Sequence, residues 1–484
     1  MKTPIRLLPV VRHTAPSLSC ASSCSQSTTQ IADIDEVCRL INDHPFPDEP
    51  LEPTLRQIGI PISSSFIDNV LGRLFAGHAN GFKALELFNF ARRHSEFRLT
   101  SDLFEKMVHI LSRMRKFDKV WELFDEIHVK HPSVISLKSM SIVLARYCQH
   151  QSFEETLEAF SRMERYVGEH TVDTYNVLLY AFCTQKHMME ARAIFRKIHR
   201  RFMPNTQTLN ILLMGFKESR NLIAVELFYH DLVRRGCVAN TVTYNIRIDS
   251  FCKKGRVHDA LRLLSEMEEK NCSPTIETYT TLIHGFCIAR DPVRARQIFD
   301  EMENHDLKHD SVAYNALISC YVRFGDLKSA VDLMDEMEGR GVRHDDVTYN
   351  TLFRGLRTLD SIGALSKLYQ KMIEKEFLPK MQTVVLLMKS FCQNDRCDLG
   401  IDLWDYLIQK GCCPHAHVLD LLVTSLCSRG KTGRALECLY ESLARGRHPN
   451  KQTFQVLLAY LQEGGDEDKL IVVREIMKKL GISA

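Results

Sequence analysis

One sequence pattern occurs three times in residues 241–345, at a constant step of 35 residues. The three blocks carry Thr243-Tyr244-Asn245, Thr278-Tyr279-Thr280 and Ala313-Tyr314-Asn315 at the same place, near their starts. After this motif, each block runs through an apolar helix, a short polar turn and a second, amphipathic helix. A fixed step of about 35 residues is typical of helical solenoids, in which each repeat buries its apolar face against its neighbours. We therefore predict an all-α fold of stacked helix-turn-helix repeats.

The same register extends over residues 65–484. Blocks of 34 to 36 residues begin at Ser65, Ser101, Leu137, Val172, Thr206, Thr241, Ile276, Ser311, Asp346, Met381, Ala416 and Lys451. The pattern predicts a right-handed superhelical solenoid of about twelve repeats, namely eleven full repeats and a terminal unit. For such an array, a count of compact domains from chain length has little meaning.

Three positions of the second helix share one face because they are spaced i, i+4 and i+7. The first is small in most blocks, the second is large and apolar, and the third is often methionine. They are Ala84, Ala191, Ala260, Ala295, Ala330 and Ala435; Phe88, Phe124, Phe160, Phe195, Phe299, Met334 and Trp404; and Met267, Met302, Met337 and Met372. We predict that these side chains form the core between helices.

The first 64 residues do not follow the repeat. Residues 1–30 contain basic residues and many serines and threonines but no acidic residue, a composition typical of an organelle transit peptide. The arginines before residue 13 favour a mitochondrion over a plastid. Residues 31–64 include the proline-rich passage 45–53 and are predicted to form a linker and N-terminal cap. No run of about 18 apolar residues occurs, so no membrane span is expected.

The charge of the chain is close to balanced, with a formal net charge of +3 and a pI of about 8.1. A protein that coats nucleic acid through bulk charge would be more basic. Binding to a polyanion would therefore need a local basic stripe.

Nine of the sixteen cysteines recur at whole-repeat spacing. Six occupy the twelfth position of their blocks and three the thirty-second: Cys148, Cys183, Cys252, Cys287, Cys392 and Cys427, then Cys237, Cys272 and Cys412. Residues spaced by whole repeats lie about one solenoid step apart, too far for a disulfide. No C-x-x-C motif occurs either. We predict small buried hydrophobic side chains, with no metal site.

The segment Thr241–Thr275 combines Val-Thr-Tyr-Asn, an apolar helix ending in Phe-Cys, Gly-x-x-x-x-Ala and a Leu-x-x-Met helix. This arrangement resembles the pentatricopeptide repeat, in the plant organellar P type that is built only of 35-residue units. The resemblance covers residues 65–484. The blocks at Ser65, Ser101, Met381 and Ala416 depart from it because they lack Tyr-Asn.

The resemblance implies recognition of single-stranded RNA, one base per repeat. In the family, the fifth residue and the last residue of a repeat read the base together. The pairs here are Asn176 with Asn205, Asn210 with Asn240, Asn245 with Thr275, Thr280 with Asp310, Asn315 with Asp345, and Asn350 with Lys380. Val242, Val312 and Val347, at the second position, would clamp the bases. Packed helix pairs recur at roughly 10 Å, which suits successive bases of a stretched strand.

In the family, Asn/Asn pairs favour cytosine or uracil, Thr/Asp favours guanine and Asn/Asp favours uracil. The resemblance thus implies a core Y-Y-Y-G-U-Y, read 5′ to 3′, where Y is a pyrimidine; the pairs of Asn245 and Asn350 are not standard ones. Five outer pairs receive no base: Asn69/Thr100, Glu105/Ser136, Ser141/Thr171, Val385/His415 and Asp420/Asn450. Lys253, Lys254 and Arg323, at or beside the thirteenth position, are predicted to contact phosphates.

The alternative role for each asparagine is a capping hydrogen bond within its own repeat. Because asparagine recurs at the same position of the repeat, we favour a role in base recognition. No Gly-rich phosphate loop, H-E-x-x-H or deaminase motif occurs, so neither catalysis nor a cofactor is expected. The chain would act by occupying an organellar transcript, in stabilisation, processing, splicing or translation, with RNA-processing or ribosomal proteins as further partners. The competing hypotheses are a protein-binding scaffold of the tetratricopeptide kind and a mitochondrial ribosome component that reads no sequence.

Overall fold

The structure is a computed structural model that describes residues 27–480, except 59, 61, 77–79, 96, 200, 359–361 and 448. The predicted transit peptide, residues 1–30, lies outside the described residues apart from its last four. Every regular element in the described part of the chain is helical, which confirms the all-α prediction. None of these helices combines the length and the apolarity that crossing a membrane requires.

The first compact unit ends at Thr243. Its helices are α1 (Ser27–Asp43), α2 (Leu51–Ile58), α3 (Ser64–Ala76), α4 (Gly81–Arg92), α5 (Ser101–Arg113), α6 (Phe117–Lys130), α7 (Leu137–His150), α8 (Phe153–Arg162), α9 (Glu164–Val167), α10 (Val172–Thr184), α11 (Met188–Ile198), α12 (Thr206–Glu218) and α13 (Leu222–Arg234), with a 3-10 turn at Pro132–Val134. Helices α3, α5, α7, α10 and α12 contact one another in series, and each packs against the second helix of its own pair. This is the stacking that defines a solenoid.

The second compact unit begins at Tyr244, so the boundary falls in the first turn of α14 (Thr241–Lys253). Its helices are α14 (Thr241–Lys253), α15 (Val257–Glu269), α16 (Ile276–Ile288), α17 (Pro292–Asn304), α18 (Ser311–Phe324), α19 (Leu327–Gly339), α20 (Asp346–Thr358), α21 (Ile362–Glu374), α22 (Met381–Gln393), α23 (Cys397–Gln409), α24 (Ala416–Cys427), α25 (Thr432–Ala444), α26 (Lys451–Glu463) and α27 (Glu467–Lys479). The first helices α16, α18, α20, α22, α24 and α26 again contact one another in series.

The first helices start where the repeat pattern predicts. Eleven of the twelve predicted blocks begin at the first residue of a helix, and α3 begins at Ser64, one residue before its block. In most repeats before Met381, the residue before a block caps that helix: the side chains of Thr275 and Asp310, for example, each accept a hydrogen bond from the N–H three residues on. Such caps satisfy donors that the helix itself cannot.

Residues 31–64, predicted as a linker and cap, contain most of α1 and all of α2. Helix α1 contacts α3, and α2 contacts α4, so the two extend the stack by one further pair. Leu51 and Leu55 of α2 are fully buried. Pro53 lies in the first turn of α2, where the missing N–H of proline costs no helical hydrogen bond. The proline-rich passage 45–53 is therefore helical at its end, where α2 packs against α4.

The shared face of the second helices is buried, as the pattern predicts. Fully buried side chains include Ala260, Ala295, Ala330, Met267, Met302, Met337, Phe299 and Trp404. The tyrosines of the repeated motif, Tyr244, Tyr279, Tyr314 and Tyr349, are buried as well. Every cysteine in the described part of the chain is a free thiol, and no metal-ligand cluster of three or more His, Cys, Asp or Glu occurs there.

Candidate functional site

The predicted base-clamping valines point away from the core. Val312 and Val347 are 56% and 55% exposed, and Val242 is 37% exposed. Two residues further on, each helix carries a tyrosine that is completely or almost completely buried. Burial raises the pKa of Tyr279, Tyr314 and Tyr349 to about 12, so these phenols stay protonated and serve the core. The second position thus offers an apolar surface to solvent.

Three of the six predicted reading pairs are in direct contact. The Asn176 amide donates to Asn205 Oδ1 over 3.2 Å, and the Asn210 amide donates to Asn240 Oδ1 over 3.2 Å. In the third pair, the Asn315 amide donates to Asp345 Oδ1 over 3.0 Å. The fifth-position asparagines are almost fully buried, whereas Asn205 is exposed and Asn240 and Asp345 are half-buried. The last residue of the repeat is therefore the more accessible member of each pair.

A threonine of the following repeat completes each of these contacts. The hydroxyls of Thr208, Thr243, Thr278 and Thr348 donate to the Oδ1 of Asn176, Asn210, Asn245 and Asn315, each over 2.7 Å. Because a hydroxyl donates to the amide oxygen, the amide nitrogen must face the last residue of the repeat. The threonine therefore sets the orientation of the reading asparagine. The threonine belongs to the repeated sequence motif, but the motif alone does not reveal this role.

The last residue of a repeat is also a helix cap. Asn205 Oδ1 accepts from the Thr208 N–H over 2.9 Å, and Asp345 Oδ1 accepts from the Thr348 N–H over 2.9 Å. The capping alternative thus applies to the last residue of the repeat, not to the fifth. Asp345 keeps Oδ2 without a hydrogen-bond partner among the described residues, and each asparagine amide keeps a second N–H. These are the groups that a base could use.

The other three pairs are not joined directly. The Thr280 hydroxyl donates to the carbonyl of Glu277 in its own helix. Asn245 reaches Thr275 only through the Thr278 hydroxyl, which lies 3.2 Å from the Thr275 hydroxyl.

Asn350 donates to Thr383 Oγ1 over 3.0 Å, while Lys380 Nζ lies 3.3 Å from Asp346 Oδ2. Lysine has no acceptor with which to replace the missing contact. In both of the pairs that are not standard ones, the asparagine therefore makes no direct hydrogen bond to the last residue of its repeat.

Two outer pairs that received no base do make contact. Ser136 Oγ donates to Glu105 Oε1 over 2.7 Å, and the Asn450 amide donates to Asp420 Oδ2 over 2.5 Å. In both, the acceptor stands at the fifth position and the donor at the last, which reverses the polarity of the central pairs. A hydrogen-bond acceptor at the fifth position and a donor at the last would have predicted these two contacts from the sequence.

The predicted phosphate contacts differ in their availability. Lys253 Nζ lies 2.8 Å from Asp249 Oδ2, an ion pair within its own helix. Lys254 and Arg323 are exposed, and neither forms an ion pair with another described residue. The local positive charge at the thirteenth position therefore comes mainly from these two side chains.

Comparison with known proteins identifies the repeat. Profiles of the PPR repeat family match residues 204–253, 239–288 and 309–358, and profiles of the PPR repeat match 173–201, 277–307 and 383–412. A pentatricopeptide repeat-containing protein of Arabidopsis thaliana is 45% identical over 476 residues, which is 97% of this chain and 95% of the relative. A second such protein of that plant, named as mitochondrial, is 26% identical over 211 residues, 44% of this chain and 34% of the relative.

Among solved structures, the pentatricopeptide repeat protein PPR10 from maize is 20% identical, with a TM-score of 0.48 over 93% of this chain and 73% of that chain. PPR10 in complex with an 18-nt psaJ RNA element gives a TM-score of 0.40 over 92% of this chain and 68% of that chain. From the profile matches and the full-length relative, the chain belongs to the pentatricopeptide repeat family.

Proposed function

We propose that this chain binds single-stranded RNA sequence-specifically, one base per repeat, and that it acts in mitochondrial RNA metabolism by occupying its target. The observation that carries the proposal is the recurring contact between the fifth and last residues of a repeat. In the repeat of Asn315 and Asp345, the exposed Val312 stands at the second position as well. Relatives named as mitochondrial and the basic, acid-free residues 1–30 support a mitochondrion; a plastid is the alternative.

The chemistry of the pairs supports the base assignments. A carboxylate only accepts hydrogen bonds, and the free Oδ2 of Asp345 therefore suits the N3–H of uracil and disfavours cytosine, whose N3 is an acceptor. An asparagine amide both donates and accepts, so Asn205 and Asn240 suit either pyrimidine. Asp310 can accept from the N1–H and amino group of guanine, as the assignment of guanine to that repeat requires.

The contribution of each base is modest. At about 1 kcal/mol per base, the low end for stacking and edge contacts, six reading pairs give selectivity rather than overwhelming affinity. Backbone contacts must then supply a large share of the binding free energy. Stabilisation, processing, splicing and translation would all follow from occupancy of a transcript, through shielding or the recruitment of a partner.

Filter binding to UUUGUU and to oligo(A) of the same length tests the proposal. We expect tighter binding to UUUGUU, and a loss of about fivefold or more for Asn315→Ala because each readable base is worth about 1 kcal/mol. Asn304→Ala is the matched control, since Asn304 is an exposed asparagine at the end of α17. Equal, weak retention of both RNAs would contradict sequence reading and leave a protein scaffold as the better hypothesis.

Asp345→Asn separates reading from folding at the same repeat. Asparagine keeps the helix cap, so stability should change little, while the loss of the acceptor-only carboxylate should admit cytosine at the fifth base. We expect the preference for UUUGUU over UUUGCU to fall severalfold. An unchanged preference would show that Asp345 does not contact the base.

A further inference from the structure

Two thiols from neighbouring repeats meet in the second unit. Cys287 lies at the end of α16, Cys320 lies in α18, and the two side chains line the same cavity. They are separated by 33 residues, not by a whole repeat. Unlike the repeat-spaced cysteines, they therefore need not lie one solenoid step apart. Both are buried.

The stacking of neighbouring repeats places these two positions side by side. The tenth residue of a block faces the twelfth residue of the block before it where the tenth is glycine, as it is at Gly215, Gly285 and Gly355. A β-carbon added at Gly215 would lie 2.8 Å from that of Cys183, and one added at Gly285 would lie 2.8 Å from that of Cys252. Cys320 stands at the tenth position and Cys287 at the preceding twelfth. Disulfide-bonded cysteines have β-carbons about 3.8 Å apart, and these two positions of neighbouring repeats come close enough together for such a bond.

The pair borders a cavity of about 310 Å³ that Arg290, Arg323 and Phe324 also line. The hydrogen bond from Cys320 and the Arg323 guanidinium lower the pKa of the Cys287 thiol. Other cysteines at the twelfth position behave in the opposite way, because burial raises the pKa of Cys252 to about 12 and of Cys392 to about 11. A thiolate stabilised by a cation, next to a cavity, has the surroundings of a reactive cysteine.

We propose that Cys287 and Cys320 form a redox-active dithiol that peroxide-class oxidants convert into a disulfide between adjacent repeats. The Cys287 thiolate attacks one oxygen of hydrogen peroxide, the O–O bond breaks, and the departing hydroxide takes a proton to become water. The Cys320 sulfur then attacks the Cys287 sulfenic acid. The S–O bond breaks, hydroxide leaves with the Cys320 proton as water, and the S–S bond forms. Two thiols and one peroxide give one disulfide and two waters.

Peptide mapping of the full chain tests this directly. The reduced protein is treated with hydrogen peroxide, denatured in N-ethylmaleimide and digested with trypsin without reduction. We expect a linked pair of peptides, residues 271–290 and 309–323, about 2 Da lighter than the sum of the two free peptides. Cys272 in the first peptide should carry N-ethylmaleimide. A link through Cys272, or no link while other cysteines oxidise, would overturn the proposal.

Two variants separate the roles of the thiols. Cys320→Ser reproduces the Cys392/Ser425 arrangement found three repeats further along the chain. The link should vanish, and Cys287 should be trapped by dimedone as a sulfenic acid. Cys252→Ser is the matched control, because Cys252 faces Gly285, and it should leave the link unchanged. Dimedone labelling of Cys252 as fast as that of Cys287 would refute the proposed activation. The wild-type readout needs neither variant to fold and no RNA, so it is independent of the proposed function.

Discussion

At the scale of single residues, the threonine hydroxyl of one repeat orients the reading asparagine of the repeat before it. Thr348 is fully buried. It donates to Asn315 Oδ1, and its oxygen accepts from the Asp345 N–H over 3.2 Å. Without this donor the Asn315 amide could rotate, and it would then present an acceptor where a base requires a donor.

Thr348→Val removes that hydroxyl at nearly constant volume. We expect a loss of roughly 1–3 kcal/mol of folding stability, because buried polar groups lose their partner, and a severalfold loss of preference for uracil at the fifth base. Thermal unfolding and filter binding measure the two effects. Thr281→Val is the control, since the Thr281 hydroxyl bonds only to the carbonyl of Glu277 in its own helix. Discrimination equal to that of the wild type would show that the orientation does not depend on Thr348.

Asp402 on α23 is a residue whose ionisation opposes folding. Burial and the charges of Asp398 and Asp405 raise the pKa of its carboxyl. Because the folded state holds this proton more tightly than the unfolded state does, stability falls as the pH rises through the folded-state pKa. Asp402→Asn should therefore raise the Tm at pH 7, and the gain should disappear as the pH falls toward about 4, the ordinary aspartate range.

Asp398 provides the opposite case on the same helix. A hydrogen bond from Arg396 lowers the pKa of the Asp398 carboxyl, so its ionised form favours the fold above the ordinary aspartate pKa. Asp398→Asn should lower the Tm at pH 7. Circular dichroism melts of both variants across this pH range give the comparison, and shifts of the same sign would contradict it.

At the scale of secondary-structure elements, the approach of successive first helices depends on the tenth residue of the block in the three repeats where that residue is glycine. A β-carbon at Gly285 would lie 2.4 Å from Cys252 Sγ, and one at Gly355 would lie 2.7 Å from a methyl carbon of Val322. Real side chains do not approach so closely, so larger residues require the helices to move apart. The glycine therefore determines the distance between helices, not their helicity.

Gly285→Ala should destabilise the protein by about 1–3 kcal/mol, the usual cost of overpacking, although alanine favours the helix itself. Cys252→Ala should restore part of that loss by removing the sulfur. Gly72→Ala in α3 is the control, because no atom lies within 4 Å of an added β-carbon there, and it should stabilise by about 0.5–1 kcal/mol. Chemical denaturation measures all three. A stabilising Gly285→Ala would refute the close contact.

At the scale of the whole molecule, a net charge of +3 limits the electrostatic share of RNA binding. If Lys253, Lys254 and Arg323 neutralise three phosphates, the slope of log K against log salt should be about −2, from roughly −0.7 per contact on a single strand. Lys254→Ala should make the slope less negative by about 0.7. Arg262→Ala is the control, since its side chain is 83% exposed on a second helix. A slope steeper than about −5 would indicate many more phosphate contacts than the thirteenth position supplies.

The sequence by itself determined the class of fold, the positions at which first helices begin, and the composition of the core. These properties follow from the spacing of apolar, small and capping residues along one chain segment, which acts locally and recurs at every step. Ser101, Ile276 and Asp346 begin helices because a capping or polar residue precedes an apolar stretch there. The resemblance to the pentatricopeptide repeat, rather than this spacing, indicated the fifth and last residues of a repeat as a candidate pair.

The tertiary structure alone decided which of those pairs touch. Asn315 meets Asp345, but Thr280 does not meet Asp310, because the shorter threonine bonds back to its own helix. It also decided that a threonine of the next repeat orients the asparagine, and that Cys287 meets Cys320. Each of these contacts joins residues about thirty apart on two separate helices, and only the packing of those helices determines which atoms come within bonding distance.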